Sequence, residues 1–127
     1  MPQDVHDLTV WQRAIDLTVC IYRLTREFPK DELYGLVSQM RRASVSVASN
    51  IAEGRGRLNS AEFRQFLGVA LGLVFELKTQ LVVARRLELG SEHAINEAAA
   101  LSEEVSKMLT SLIQKLGPQS KKLRAEG

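Results

Sequence analysis

Apolar residues recur along this chain in alternating steps of three and four, in four runs separated by stretches rich in helix-ending residues. That spacing keeps one stripe of a helix turned toward a partner. No segment of any length shows the period-two alternation of a half-buried strand. The first run is Val10, Ala14, Leu17, Ile21, Leu24 and Phe28, and the second is Leu33, Leu36, Met40, Ala43, Val47 and Ile51. The third is Phe63, Phe66, Ala70, Leu73, Leu77, Leu81 and Ala84, and the fourth is Ile95, Ala98, Leu101, Val105, Met108, Leu112 and Leu116. Between them, "FPKDE" at 28–32 ends one helix at Phe28 and offers Asp31 as the next N-cap. "EGRGRLNSAE" at 53–62 supplies Gly54 as a C-terminal glycine, then Asn59 with Glu62 three residues on, a capping box with Asn in place of Ser or Thr. Gly90 with Ser91, and Gly117 with Pro118, repeat the logic. Four helices are therefore expected near 9–28, 32–53, 60–89 and 91–116. The short connections predict an all-α, antiparallel up-down-up-down four-helix bundle over 1–118, followed by a basic, flexible tail over 119–127.

At 127 residues, 45% apolar and 25% charged, the chain has the balance of one soluble globular domain. The longest nearly uninterrupted apolar run, Phe66 to Phe75, contains two glycines and falls short of the ~20 residues of a membrane span. No membrane partner is expected. The start, "MPQDVHDL", lacks a basic region followed by an apolar stretch, so a cytoplasmic location is expected. Cys20 is the only cysteine, which excludes an internal disulfide and leaves a small buried hydrophobe as its expected role.

Helices 2 and 3 carry more apolar circumference than a four-helix core can use. Leu71, Phe75 and Val82 point more than about 90° from the core stripe at 100° per residue, on a side shared with Gly68, Gly72 and Thr79. Two mid-helix glycines cost about 1 kcal/mol each relative to alanine, which is easiest to understand if another backbone comes close. Helix 2 shows Val37, Val45, Ala48 and Ala52 on one flank. Scattered surface hydrophobes are one reading. The regular spacing favours a homo-oligomer in which Val45, Ala48, Gly68, Leu71, Gly72, Phe75 and Val82 face neighbouring copies.

The net charge is only +2, but residues 33–87 hold eight Lys or Arg against three Glu. Within them, "ASNIAEGRGR" at 48–57 ends a polar line of Gln39, Ser46, Asn50 and Glu53, with Arg42 just outside it. A structural reading makes Asn50 and Glu53 internal braces of the 54–59 loop, because a carboxylate beside arginines is usually an ion pair. A functional reading assigns Arg41, Arg42, Arg55 and Arg57 to phosphate contacts, with Gly54 and Gly56 letting the backbone approach an anion. Tail residues Lys121, Lys122 and Arg124 join that set. Trp11, Tyr22 and Tyr34 read as packing residues, so no platform for unpaired bases is expected. His6 and His93 lack ligand spacing and the Glu-x-x-His pairs of metal-binding bundles are absent, so no metal, cofactor or enzymatic activity is expected.

The stretch "VWQRAIDLTVCIYRLTREFPKDELYGLVSQMRRASVSVASNIAEGRGR" resembles the bacterial four-helix-bundle family whose genes were first noted inside intervening sequences of large-subunit ribosomal RNA genes. Trp11, Gln12, Phe28, Pro29, Gly35, Gln39, Arg41, Arg42, Asn50, Glu53, Gly54 and Gly56 carry the match in order. It continues more loosely through "FRQFLGVALGLVFELKTQL", departs at Leu73 where the family usually has Ser, and fades beyond Leu89. The resemblance implies an up-down bundle assembled as a ring-like homopentamer. A related branch, the accessory protein of diversity-generating retroelements, implies a basic barrel that binds nucleic acid and a reverse transcriptase. The leading expectation is a non-enzymatic oligomeric nucleic-acid-binding or ribonucleoprotein accessory module, with RNA or DNA as partner. The alternative is a protein-interaction scaffold whose partner is encoded nearby.

Overall fold

A computed structural model of the protein describes residues 4–117. The expected tail over 119–127, and Pro118, lie outside the described residues. The four long helices are α1 (Thr9–Thr25), α2 (Ser38–Arg55), α3 (Ser60–Arg86) and α4 (Glu92–Leu116). Each packs against its neighbours in chain order, and α1 closes the ring against α4. Side-chain bridges fix the directions. Thr18 reaches Ser44 and Arg41 reaches Thr25 between α1 and α2. Lys78 reaches Glu103 and Arg85 reaches Asn96 between α3 and α4, and Arg13 reaches Glu104 while Cys20 reaches Glu97 between α1 and α4. In each of these three pairs of helices one number rises as the other falls, so these neighbours run antiparallel.

The first run is buried as expected, from Val10 to Phe28. In α3 and α4 the buried stripe is rotated from the expected one. Leu67 and Val74, both fully buried, replace Phe66 and Leu73 on the axis, giving Phe63, Leu67, Ala70, Val74, Leu77, Leu81 and Ala84. In α4, Ser102 and Leu109 are fully buried where Leu101 and Met108 were expected. At Phe66–Leu67, Leu73–Val74 and Met108–Leu109 apolar residues sit side by side, and the neighbouring helices decide which one enters the core.

The helix ends show three further corrections. α1 stops at Thr25, and a 3-10 turn at Lys30–Glu32 and a π turn at Leu33–Val37 precede α2. Gly35 has non-helical dihedrals there, and the Glu32 carboxylate accepts from the Leu36 amide, so Glu32 rather than Asp31 does the capping. The turn also carries Leu33 out of the expected core stripe, leaving it half exposed. Gly54 is not a helix stop: it lies inside α2, buried, and the chain leaves the helix at Gly56. Asn59 does cap α3, accepting from the Glu62 amide at 2.9 Å while its own amide donates to the Glu62 carboxylate at 2.8 Å. At the α3–α4 turn Gly90 adopts φ +74, the left-handed region that favours glycine. Ser91 then accepts from the Ala94 amide to start α4.

α3 is also, among the described residues, the one helix long and apolar enough to cross a membrane, with a mean hydropathy of 1.7 over its best window. Counting uninterrupted apolar runs missed this, because glycines and single polar residues break the run without lowering the average. One third of that window is buried against the bundle.

Candidate functional site

The structure separates the four arginines that sequence placed together. Arg41 lies near the start of α2 and Arg55 at its end, roughly 20 Å apart at 1.5 Å per residue. Arg41 is committed to the fold: its Nε donates to Thr25 Oγ1 at 2.9 Å, and its guanidinium stacks 4.6 Å from the Tyr22 ring centre. Arg42 is exposed, with no hydrogen bond or ion pair among the described residues. Arg55 and Arg57 each lie over an aromatic ring of α3, Phe63 at 5.8 Å and Phe66 at 4.9 Å, so both help pin the α2–α3 corner. Lys121, Lys122 and Arg124 fall outside the described residues.

The polar line beside them is local. The Asn50 amide donates to the Ser46 carbonyl one turn back in its own helix, so it does not reach the loop. Glu53 approaches Arg57 at 3.7 Å, an exposed pair one turn apart, while Gln39 is exposed. Gly54 has the clearest role, because any side chain there would run into Phe66 and Phe63. What does gather at this end of the bundle is Arg55, Arg57 and Arg64. Gly117, the last described residue, packs so closely on the Arg64 guanidinium that a Cβ would lie 2.6 Å from Nε.

The outer side of α3 forms a second seam. Gly68, Gly72, Phe75, Thr79 and Val82 follow one another in steps of four and three, opposite the buried seam. Phe75 and Val82 are 54% and 50% exposed. A Cβ added at Gly68 or Gly72 would meet nothing within 4 Å, so nothing within the protomer calls for glycine at either place. The Thr79 hydroxyl is satisfied by the Phe75 carbonyl, and the Lys78 ammonium lies 4.8 Å from the Phe75 ring centre. Leu71 is partly buried and packs against the core, and Ala48 is buried in the protomer, so these two offer less surface than expected. Val45 remains exposed. Val69, Val83 and Leu87 widen the apolar face, and sequence reading passed over them as single residues off the chosen stripe.

Sequence reading also missed a corner formed by α1 and the turn before α2. Tyr34 is 93% exposed, with half-exposed Leu33 beside it, and neither packs in the bundle as expected. The available signal was Gly35, which interrupts the helical register between them and Met40.

Other reactive groups are occupied or enclosed. Cys20 is buried beside Glu97, and burial, then the carboxylate, pushes its thiol up to about 11. His6 lies in a 3-10 turn capped by Asp4, with its Nδ1 2.6 Å from the Asp4 carboxylate and its ring edge-on to Trp11. The segment at Val5–Asp7 is thus a turn capped by Asp4. Among the described residues no three His, Cys, Asp or Glu side chains gather as metal ligands.

An antiparallel four-helix bundle with one cation-lined end and an unspent apolar helix face is the class these features define. The chain belongs to the 23S rRNA-intervening sequence protein family, whose model matches residues 6–111. Its fold is similar to the 1.70 Å crystal structure of a protein of unknown function from the S23 ribosomal protein family of Bacteroides thetaiotaomicron VPI-5482. That likeness has a TM-score of 0.75 at 23% identity and covers 84% of this chain and 99% of the other. No curated protein matches the chain.

Proposed function

We propose that the protein is a non-enzymatic module that assembles with copies of itself and uses the repeated basic end to hold nucleic acid. The observation that carries the reading is the second seam on α3. A helix with one heptad-spaced face buried and another exposed has the pattern of an element packed on both sides. Gly68 and Gly72 destabilise the free helix by about 1 kcal/mol each, and close approach of a neighbour's backbone accounts for them.

Exposed Ile15 and Val19 of α1 and Val45 of α2 supply different apolar surface for that seam to meet. Two unlike surfaces in contact make a head-to-tail interface, which closes into a ring when the rotation allows. Five copies is the count implied by the family resemblance. Repetition supports the nucleic-acid reading, since several weak basic ends on one particle gain avidity that a single end lacks. Arg55, Arg57 and Arg64 supply the basic end, and Lys121, Lys122 and Arg124 follow Gly117 in the chain. The location proposed is the cytoplasm, and no cofactor is needed.

The test is retention of RNA as salt is raised. Log affinity should fall by about 0.7–0.9 per phosphate neutralised for each unit of log salt. No RNA binding at low salt, or a flat response to salt, removes the nucleic-acid part. A protein partner that survives nuclease treatment in its place favours the scaffold.

A further inference from the structure

We infer that the corner between α1 and the turn before α2 is a stacking site for the unpaired bases of single-stranded nucleic acid, with Tyr34 as platform and Arg42 as phosphate contact. This rests on the nucleic-acid reading above and adds which form of nucleic acid is held and where. A shallow depression of about 420 Å³ is lined there by Tyr22, Leu33, Tyr34, Val37, Arg41 and Arg42. Within it Val37 is buried while Leu33 and Tyr34 are exposed, so the floor is apolar and the rim aromatic.

Tyr34 stands almost wholly clear of the protein at 93% exposure. A ring so placed offers its faces to a base, and base–aromatic stacking tolerates any sequence because every base has a π face. Tyr22 cannot serve alike, since the Arg41 guanidinium already stacks on it. That arrangement brings a fixed positive charge to the edge of the depression, where it attracts a phosphate backbone without leaving its bonds to Thr25 and Tyr22. Arg42 lines the same depression as Tyr34 and is exposed with no ion pair among the described residues. The nearest acids in the chain are Asp31 and Glu32, and Glu32 is turned to the Leu36 amide.

The same residue types occur in peptide-binding hot spots, but those are enclosed pockets that exclude water. Here the depression is open and its most prominent ring has no wall behind it. A duplex keeps its bases stacked on one another, so only an unpaired strand can use the platform.

The experiment measures binding of a fluorescein-labelled oligouridylate, and of an RNA duplex of the same length, to the full chain at low salt. Tyr34→Ala should weaken single-strand binding at least about fivefold, which is ~1 kcal/mol at 1.4 kcal/mol per factor of ten. Tyr34→Phe keeps the ring and should bind like the parent, and duplex binding should not change in either variant. Because Tyr34 is exposed, neither change threatens the fold. Equal single-strand binding by parent and Tyr34→Ala overturns the stacking site while leaving the nucleic-acid reading intact, as does a parent that binds duplex alone. A parent that binds neither strand nor duplex overturns both. Saturation of the corner by an acidic leucine-containing peptide, with oligouridylate binding indifferent to Tyr34→Ala, assigns it to a protein partner and overturns the site.

Discussion

A Cβ placed on Gly54 would stand 2.6 Å from the Cβ of Phe66, closer than two carbon atoms can pack. The α2–α3 crossing therefore depends on a missing side chain near the end of α2. The Phe63 ring would lie at 3.1 Å and Phe66 Cγ at 3.3 Å, so two side chains of α3 crowd the position.

Gly54→Ala should lower stability by about 1–3 kcal/mol, the cost of overpacking, although alanine favours an isolated helix by ~1 kcal/mol. Gly68→Ala and Gly72→Ala should show the opposite sign in the dissociated protomer, gaining about 1 kcal/mol each. Urea unfolding of the three variants, at concentrations low enough to dissociate any assembly, checks the contrast. Equal effects at all three glycines would show that the crossing is not close.

The bundle should loosen in acid at identifiable contacts. The hydrogen bond from Lys78 holds the Glu103 carboxyl below its ordinary 4.5, and that from Arg13 does the same for Glu104. Carboxylates lowered in the folded state add stability that is complete above the unfolded value and lost as pH falls through the folded one. Stability should therefore decline from about pH 4.5 downward, and a Glu103→Gln, Glu104→Gln double variant should show a shallower decline by urea unfolding at a series of pH values. Both groups are exposed, so the effect is modest and weakens with salt. An acid slope identical in the double variant contradicts this assignment.

Cys20 should be slow to react. With its thiol raised to about 11 by burial and then by Glu97, the thiolate at about pH 8 is roughly 100-fold scarcer than for a thiol at the ordinary 9.0. Alkylation should be at least tenfold slower in native than in urea-unfolded protein. Equal rates would mean that the α1–α4 interface opens readily.

How far the fold was legible depends on what each residue had to announce. In α1, Leu17 and Leu24 each stand between two polar residues, and every expected core position is buried. In α3, Phe66 precedes Leu67 and Leu73 precedes Val74, and a period of 3.6 cannot choose between adjacent apolar residues. The choice is made by α2 and α4, which no local pattern describes. Ser102 was passed over because it is polar, yet it is fully buried.

Function was less legible for a related reason. Arginines close in sequence read as one cluster, but the length of α2 sets Arg41 and Arg55 far apart. Gly54 looked like a helix stop because glycine has two uses, freedom of backbone and absence of a side chain, and only a neighbour such as Phe66 reveals the second. Tyr34 looked like a packing residue until the turn at Gly35 put it outside the bundle.

The account depends most on the outer seam of α3 being where copies meet. Its most direct test is the mass of the purified protein at micromolar concentration by light scattering after size exclusion. The account predicts a particle several times the 14.2 kDa chain mass, reduced to single chains by Phe75→Lys. A parent protein that elutes as one 14.2 kDa chain, with Phe75 and Val82 left in water, would contradict it.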